Sequence, residues 1–272
     1  MLTIVKSSFA ADQQFNVSAS IMTDSIAKSS ASALKAVVRV ICPASDNTGT
    51  GFLHPSGWII TAAHVVANCK SEDIIVIPPD GVQLNVVDAR IDQKLNLAAL
   101  KLKNELKIPP LFISRTSTNQ LVIGSQVGIW GFPVGYNSSA PLLAVGYISG
   151  SDRVRTELGL SPTRLVVNAA FNSGNSGGPV IDIEDGTVIG VVSSKLAPVP
   201  QIIQDALRAL QNQHSGFIYT AKSADGKEVT ISEGQIIGAV LDYLRSQTQL
   251  VVGHAVTADD LHTFLKDKKI EK

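Results

Sequence analysis

The chain is short of nearly every feature that would mark a specialised class of protein. It has two cysteines and five histidines in 272 residues. Two cysteines make no disulfide framework. Cys42 and Cys69 flank the strand pair that leads to His64. One bridge between them is one reading and two buried free thiols the other, and the sequence favours the free thiols. The histidines show no metal-ligand spacing such as H-x-x-x-H, so neither a metal nor any other cofactor is expected. Charge is scarce at 17 % and balanced, with 23 basic and 23 acidic residues. No basic excess points to nucleic acid and no charge run to a tail-borne partner. Zero net charge gives no long-range steering of charged substrates. No apolar run approaches the length of a membrane span, so no membrane partner is expected. Met1–Lys6, followed by Ser7 and Ser8, has no apolar core of signal-peptide length, which favours the cytoplasm over export. Length allows one two-lobed domain or two small ones.

What is present reads mainly as short strands. Residues 1–33 are rich in Ser and Ala and read as a weakly structured extension. Val37–Ile41 is a strand by its β-branched content. Ser45–Thr50 reads as a turn cluster. Gly51–Leu53 then starts a strand that turns at Pro55–Gly57 and returns as Trp58–Thr61. Strands follow at Ile74–Ile77, Gln83–Val87 and Leu97–Leu102, then a linker over Asn104–Thr118 with Pro109 and Pro110. Further strands are expected at Gln126–Trp130, Ala140–Ser149, Arg164–Asn168, Val180–Ile183 and Val188–Ser193. Short strands at this spacing point to a barrel or sandwich. The character changes at Leu196. Pro200–Gln213 carries a helical stripe of Ile202, Ile203, Ala206, Leu207 and Leu210. Phe217–Ile231 reads as a hairpin around Ala224-Asp225-Gly226. Ser232 with Gln235 is a capping box for a helix over Ile236–Arg245. A strand near Leu250–Val256 follows, and Thr257 caps a last helix bearing Leu261, Phe264 and Leu265.

Two stretches carry chemistry. Gly174-Asn175-Ser176-Gly177-Gly178-Pro179 packs three glycines, a serine and a proline into six residues. Such a loop can aim consecutive N–H groups at one point, a nest for negative charge. A serine inside it sits where a tetrahedral oxyanion would form. Taken alone, the loop reads equally well as a tight turn between strands. The second stretch is Trp58-Ile59-Ile60-Thr61-Ala62-Ala63-His64, an apolar strand ending in small residues and a histidine, the usual general base for serine.

Thr-Ala-Ala-His followed by Gly-Asn-Ser-Gly-Gly-Pro, in that order, resembles the chymotrypsin-like serine peptidases, and most closely the protease domain of the HtrA/Deg branch. The resemblance covers residues 36–195 and resumes near 250–256. It implies an all-β fold of two barrels: 34–118 with the linker, and 119–256 with an insertion at about 196–249, then a C-terminal helix over 257–272. The residues left after it are too few for the PDZ module of many HtrA proteins. It further implies Ser176 as nucleophile, His64 as base and an oxyanion hole from the N–H groups of Gly174 and Ser176. The walls of the primary pocket would be Ala170 and Phe171 on one side and Ser193, Ser194 and Lys195 on the other. With no acid at the pocket floor, a small to medium apolar residue fits best. Lys195 reads either as a solvated strand-edge lysine or as a cation at the pocket rim.

The third member departs from the pattern. Where the family reads Asp-Leu-Ala-x-Leu, this chain has Asn96-Leu97-Ala98-Ala99-Leu100. Asp92 is no substitute, being roughly 13 Å away along a strand at about 3.3 Å per residue. If the Asn96 carbonyl faces His64 Nδ1, Nε2 is free to accept the serine proton. If the NH₂ faces it, His64 cannot act as base. Neither orientation supplies the negative charge that stabilises the imidazolium. The expected function is a serine endopeptidase weakened by Asn96, acting on polypeptides, with a protein partner or self-association through the 196–249 insertion. The alternative is a protease-fold binding module whose catalysis has decayed.

Overall fold

The computed structural model describes residues 28–136, 138–153, 162–195, 205–206, 208–210, 216–222, 228–247 and 251–271. A helix, α1 (Lys28–Ala36), leads into the first barrel. That barrel is built from β1 (Val37–Cys42), β2 (Asn47–Leu53), β3 (Trp58–Thr61), β4 (Ile75–Ile77), β5 (Leu84–Asp92) and β6 (Leu97–Leu102). A one-turn helix, α2 (Ala63–Val66), follows β3. The second barrel takes β7 (Gln126–Gly131), β8 (Leu142–Arg153), β9 (Thr163–Asn168), β10 (Pro179–Asp182) and β11 (Val188–Lys195). The chain then forms a separate hairpin of β12 (Ile218–Lys222) and β13 (Glu228–Ser232) and a helix, α3 (Glu233–Gln247). It returns to the second barrel as β14 (Gly253–Thr257) and ends in α4 (Ala258–Asp267).

Both sheets are antiparallel and closed. The order in the first is β1-β2-β3-β6-β5-β4. Read from β7, the second runs β7-β8-β9-β14-β11-β10, which is the same order. The two lobes therefore repeat each other in topology, although no sequence repeat links them.

Alternation along the strands sorts the side chains into three cores. Val38, Val40, Ile59, Ala98 and Leu100 fill the first barrel. Val127, Ile129, Leu165, Val167, Val180 and Ala255 fill the second. Their chain neighbours Val37, Ile60, Leu97 and Ala99 point the other way. They join Trp130, Ile181, Val188, Val191 and Val256 in a third cluster between the lobes. Leu261, Phe264 and Leu265 of α4 pack into the same cluster, so the last helix seals the seam.

Several expectations change here. Residues 28–33, assigned to a weak extension, belong to α1, because Ala33, Leu34 and Ala36 are buried in the seam and packing overrides local composition. The turn expected at Ser45–Thr50 is earlier and tighter. Asp46 takes a left-handed φ of 52°, and β2 already runs from Asn47. Cys42 and Cys69 are not free thiols. They are bonded, with Cα atoms 5.8 Å apart. The end of β1 and the turn that leaves α2, where the Cys69 N–H donates to the Val66 carbonyl, bring them together. The capping box is present. The Ser232 N–H donates to Gln235 Oε1 at 2.9 Å and the Gln235 N–H to Ser232 Oγ at 3.3 Å. The helix consequently starts at Glu233 rather than Ile236. The helix expected over 200–213 lies largely outside the described residues. Among the described residues, no helix is long and apolar enough to cross a membrane.

Candidate active site

His64 is presented by a short drop from β3. Thr61, Ala62 and Ala63 are fully buried, whereas His64 itself is exposed. Small residues are needed before it because the serine loop lies directly against them. Gly177 has a φ of 86°, and a Cβ there would stand 2.2 Å from the Thr50 carbonyl, 2.2 Å from Thr61 Oγ1 and 2.7 Å from the Ala62 nitrogen. No side chain fits. On the other side Gly49 lies between Val65 of α2 and the Ser176 carbonyl, where a Cβ would be 2.6 Å and 3.0 Å away respectively. The serine loop and the segment that carries His64 are thus packed backbone against backbone.

Asn96 is held by the turn that joins β5 to β6. The Asp92 carboxylate accepts the N–H groups of Lys94 and Leu95, each at 3.0 Å. Asn96 then takes a left-handed φ of 59°, and its carbonyl accepts from the Ala63 N–H at 3.2 Å. From the second barrel, the buried Arg164 donates to the Leu95 carbonyl at 3.0 Å. Arg164 also reaches Asp260 at 3.4 Å. Burial lowers the Arg164 pKa and the Asp260 charge opposes that shift.

The side chain of Asn96 faces His64 twice. Its Oδ1 lies 3.1 Å from the His64 backbone nitrogen and 3.1 Å from Nδ1. Its Nδ2 donates to Ser193 Oγ at 2.9 Å. A backbone N–H can only donate, so the amide atom facing His64 must be the carbonyl oxygen. The ring atom that shares that oxygen is then the donor, and in a neutral ring the lone pair falls on Nε2.

The serine loop is fixed through its carbonyls. The Ser173 carbonyl accepts from the Val134 N–H at 2.8 Å, and the Asn175 carbonyl from the Gly178 N–H at 2.9 Å. In a trans peptide the N–H points opposite to the C=O. The N–H groups of Gly174 and Ser176 therefore point away from those partners. Among the described residues no group accepts from either. Gly174 has a φ of 93°, and a Cβ there would stand 2.3 Å from the Phe132 carbonyl.

The expected pocket residues separate into two kinds. Ala170 is half-buried, and its carbonyl accepts from Asn175 Nδ2 at 3.3 Å. Phe171 is buried with the second-barrel core, its ring lying on Gly253, where a Cβ would be 2.2 Å from Cγ. The ring closes space instead of edging an open slot. Ser193 is buried and tied to Asn96. Ser194 and Lys195 stand in β11 opposite His254 and Gly253. Sequence reasoning gave no role to Thr50, Phe132 or Val134, which hold the serine loop from outside. The run Gly49-Thr50-Gly51-Phe52 is the available signal, and it reads only as the end of a turn and the start of a strand.

Comparison with known proteins points the same way. Residues 49–191, more than half of the chain, match the family described as trypsin-like peptidase domain. Human serine protease HTRA4 is 35 % identical over 153 residues, covering 55 % of this chain and 30 % of that protein. Mitochondrial serine protease HTRA2 of Drosophila virilis is 30 % identical over 219 residues, covering 76 % of this chain and 50 % of that protein. The chain thus spans half or less of the length of these curated relatives. Among solved structures, the active form of the Rv3671c protease from M. tuberculosis superposes with a TM-score of 0.61 at 19 % identity, over 90 % of this chain and 86 % of that one. A serine endoprotease from Yersinia pestis gives 0.57 at 20 % identity, over 89 % and 65 %. At these identities the superpositions speak for the two-barrel fold.

Proposed function

Since the chain belongs to the trypsin-like peptidase family, with HtrA serine proteases among its relatives, we propose that it is a serine endopeptidase whose nucleophile is Ser176 and whose general base is His64. Ser176 Oγ attacks the carbonyl carbon of the scissile peptide bond, and its proton passes to His64 Nε2. The oxyanion that forms is received by the N–H groups of Gly174 and Ser176. Collapse of the tetrahedral species breaks the C–N bond, and the leaving amine takes the proton from His64. Water then attacks the acyl-enzyme by the same route, with His64 again accepting a proton, and frees Ser176. No cofactor enters any step.

The observation that carries this reading is the double acceptance at Asn96 Oδ1. It supports the ring tautomer that leaves Nε2 free, the one a general base needs. Asn96 then acts as a neutral orienter, with Ser193 Oγ holding the far end of its amide. What it lacks is charge. Exchange of aspartate for asparagine in a working triad costs about 10⁴ in kcat, because the imidazole is then held in the wrong tautomer. A site that holds the right tautomer should lose less. The Phe171 ring on Gly253 supports a shallow primary pocket and cleavage after Ala or Val. The exposed Phe217, Ile218 and Tyr219 of the hairpin support a role for the insertion in association.

Asn96 also favours a second reading, a binding module that keeps the fold without the chemistry. A fluorophosphonate probe separates the two. Labelling that disappears in Ser176→Ala is the expected result for a peptidase. Absence of labelling in the folded wild-type protein would leave the binding module.

A further inference from the structure

The side-chain hydroxyl of Thr50 is fully buried, belongs to the first barrel and bonds to two groups of the second. Oγ1 donates to the Gly174 carbonyl at 2.6 Å and accepts from the Phe132 N–H at 3.0 Å. The Thr50 backbone N–H donates to the Ser176 carbonyl at 2.8 Å. Its own carbonyl accepts from Thr61 Oγ1 at 2.7 Å. One residue of β2 thus grips the serine loop at two positions, one on either side of Asn175.

We propose that Thr50 is a positioning residue that holds the Gly174 N–H in the oxyanion-binding orientation, an inference that rests on Ser176 being the nucleophile. The Ser173–Gly174 peptide is the weak point of the loop. Its direction depends on one bond, from the Val134 N–H to the Ser173 carbonyl. Gly174, at φ 93°, has no side chain to resist rotation of that peptide. If the peptide turned over, its carbonyl would face the site and its N–H would leave it. The Thr50 hydroxyl spans the two segments that this bond joins. It holds Phe132, two residues before Val134, and Gly174, one residue after Ser173. Arg39 holds the first of these segments from the same barrel, donating to the Ser138 carbonyl at 2.9 Å with its guanidinium 4.9 Å from the centre of the Phe132 ring.

The chemistry of the position asks for a hydroxyl. A buried carbonyl and a buried N–H both need partners, and only a group that donates and accepts serves both at once. The threonine methyl fills the remaining space against Gly178, where a Cβ would be 3.1 Å from Cγ2. Valine matches the shape and satisfies neither polar group. Serine satisfies both and lacks only the methyl.

The test compares Thr50→Val and Thr50→Ser with the wild-type protein on a chromogenic peptide ending in Val at the cleaved bond. Thr50→Val is expected to lose about tenfold to a hundredfold in kcat, less than outright removal of an oxyanion donor, with KM within about twofold. Thr50→Ser should keep kcat within about fivefold of the wild type. A general loss of stability would not separate the two variants in this way. Amide hydrogen exchange supplies a readout independent of turnover. In Thr50→Val the Val134 N–H should exchange at least about tenfold faster relative to amides of β6. A folded Thr50→Val with wild-type kcat, an equal loss in Thr50→Ser, or unchanged Val134 exchange would overturn the proposal. If the wild type fails to label with a fluorophosphonate, the nucleophile assignment falls, and Val134 exchange still decides whether Thr50 holds the loop. Should Thr50→Val not fold, Thr50→Ala against Thr50→Ser isolates the same hydroxyl.

Discussion

An asparagine that accepts from both the backbone N–H and Nδ1 of His64 supplies orientation without charge. Asn96→Asp would add the charge to a geometry that already exists. The carboxylate would face an imidazolium only as that cation forms, so the stabilisation belongs to the transition state. We expect a gain of about tenfold to a hundredfold in kcat/KM, equivalent to about 1.4–2.7 kcal/mol. Steady-state kinetics on a Val-containing peptide checks it, and no gain in a folded variant would mean that charge is not limiting. Phe171 makes a second residue-scale prediction. Phe171→Val vacates part of the space over Gly253, so hydrolysis after Leu should rise relative to hydrolysis after Ala. The same change leaves a cavity in the second-barrel core and should lower stability by about 2–4 kcal/mol in denaturant titrations. At this scale the chemistry was legible where residue type dictates it. Ser176, His64 and Asn96 were picked out because their stretches resemble a known family, and Asn96 does lie beside His64. The direction of the Asn96 amide could not, because it depends on which donors converge on it.

At the scale of elements, β-branched content and the turn signals between runs placed nearly every strand of both barrels. Errors cluster where a contact distant in sequence decides the outcome. The helix over Lys28–Ala36 exists because the seam between lobes takes up Ala33 and Leu34. β5 continues to Asp92 because β6 pairs with it along that whole stretch. The Cys42–Cys69 bridge is of the same kind, for nothing local to either cysteine announces the other. It closes a segment 27 residues long in sequence that contains β2, β3 and α2, and so the mount of His64. In the chain-entropy view a loop of this length contributes about 3–4 kcal/mol. Cys42→Ser with Cys69→Ser, or reduction of the wild type, should therefore lower Tm by several degrees under calorimetry. An unchanged Tm on reduction would show that the barrel holds these two chain ends without it.

For the whole molecule the question is what keeps two lobes at a fixed distance, because the site is divided between them. The seam core is one answer, and the chain end is another. After α4 the last residues cross to the first barrel, where Ile270 is buried and Arg90 donates to the carbonyls of Lys268 and Lys269. His54, 2 % exposed, meets Glu271 at 3.0 Å through Nε2. Opposed influences act on that imidazole. Burial, the largest, lowers its pKa and the nearby His262 lowers it further, whereas the Glu271 charge and its hydrogen bond raise it. Burial prevails, since Glu271 is 41 % exposed and its charge is screened by water. The hydrogen bonds agree. The Ser56 N–H donates to Nδ1 at 3.2 Å, so Nδ1 carries no proton and the ring is neutral, with Nε2–H donating to the carboxylate. A histidine with a depressed folded pKa stabilises the protein above its unfolded value of about 6.5. That contribution is lost as pH falls from about 6.5 toward the folded pKa, because there the unfolded chain binds the extra proton. His254, also buried with a lowered pKa, acts in the same direction. Wild-type Tm should accordingly fall between pH 7.5 and 5.5. In His54→Asn, which keeps an acceptor near Ser56, the Tm should be lower at pH 7.5 and the slope shallower, with His254 supplying what remains. Had the ion pair governed, the folded pKa would be raised, and stability would be greatest at low pH and decline as pH rises. Calorimetry of both proteins across this range tells the two signs apart. A steeper acid loss in the variant than in the wild type would show that the neutral His54 is not what fastens the chain end to the first barrel.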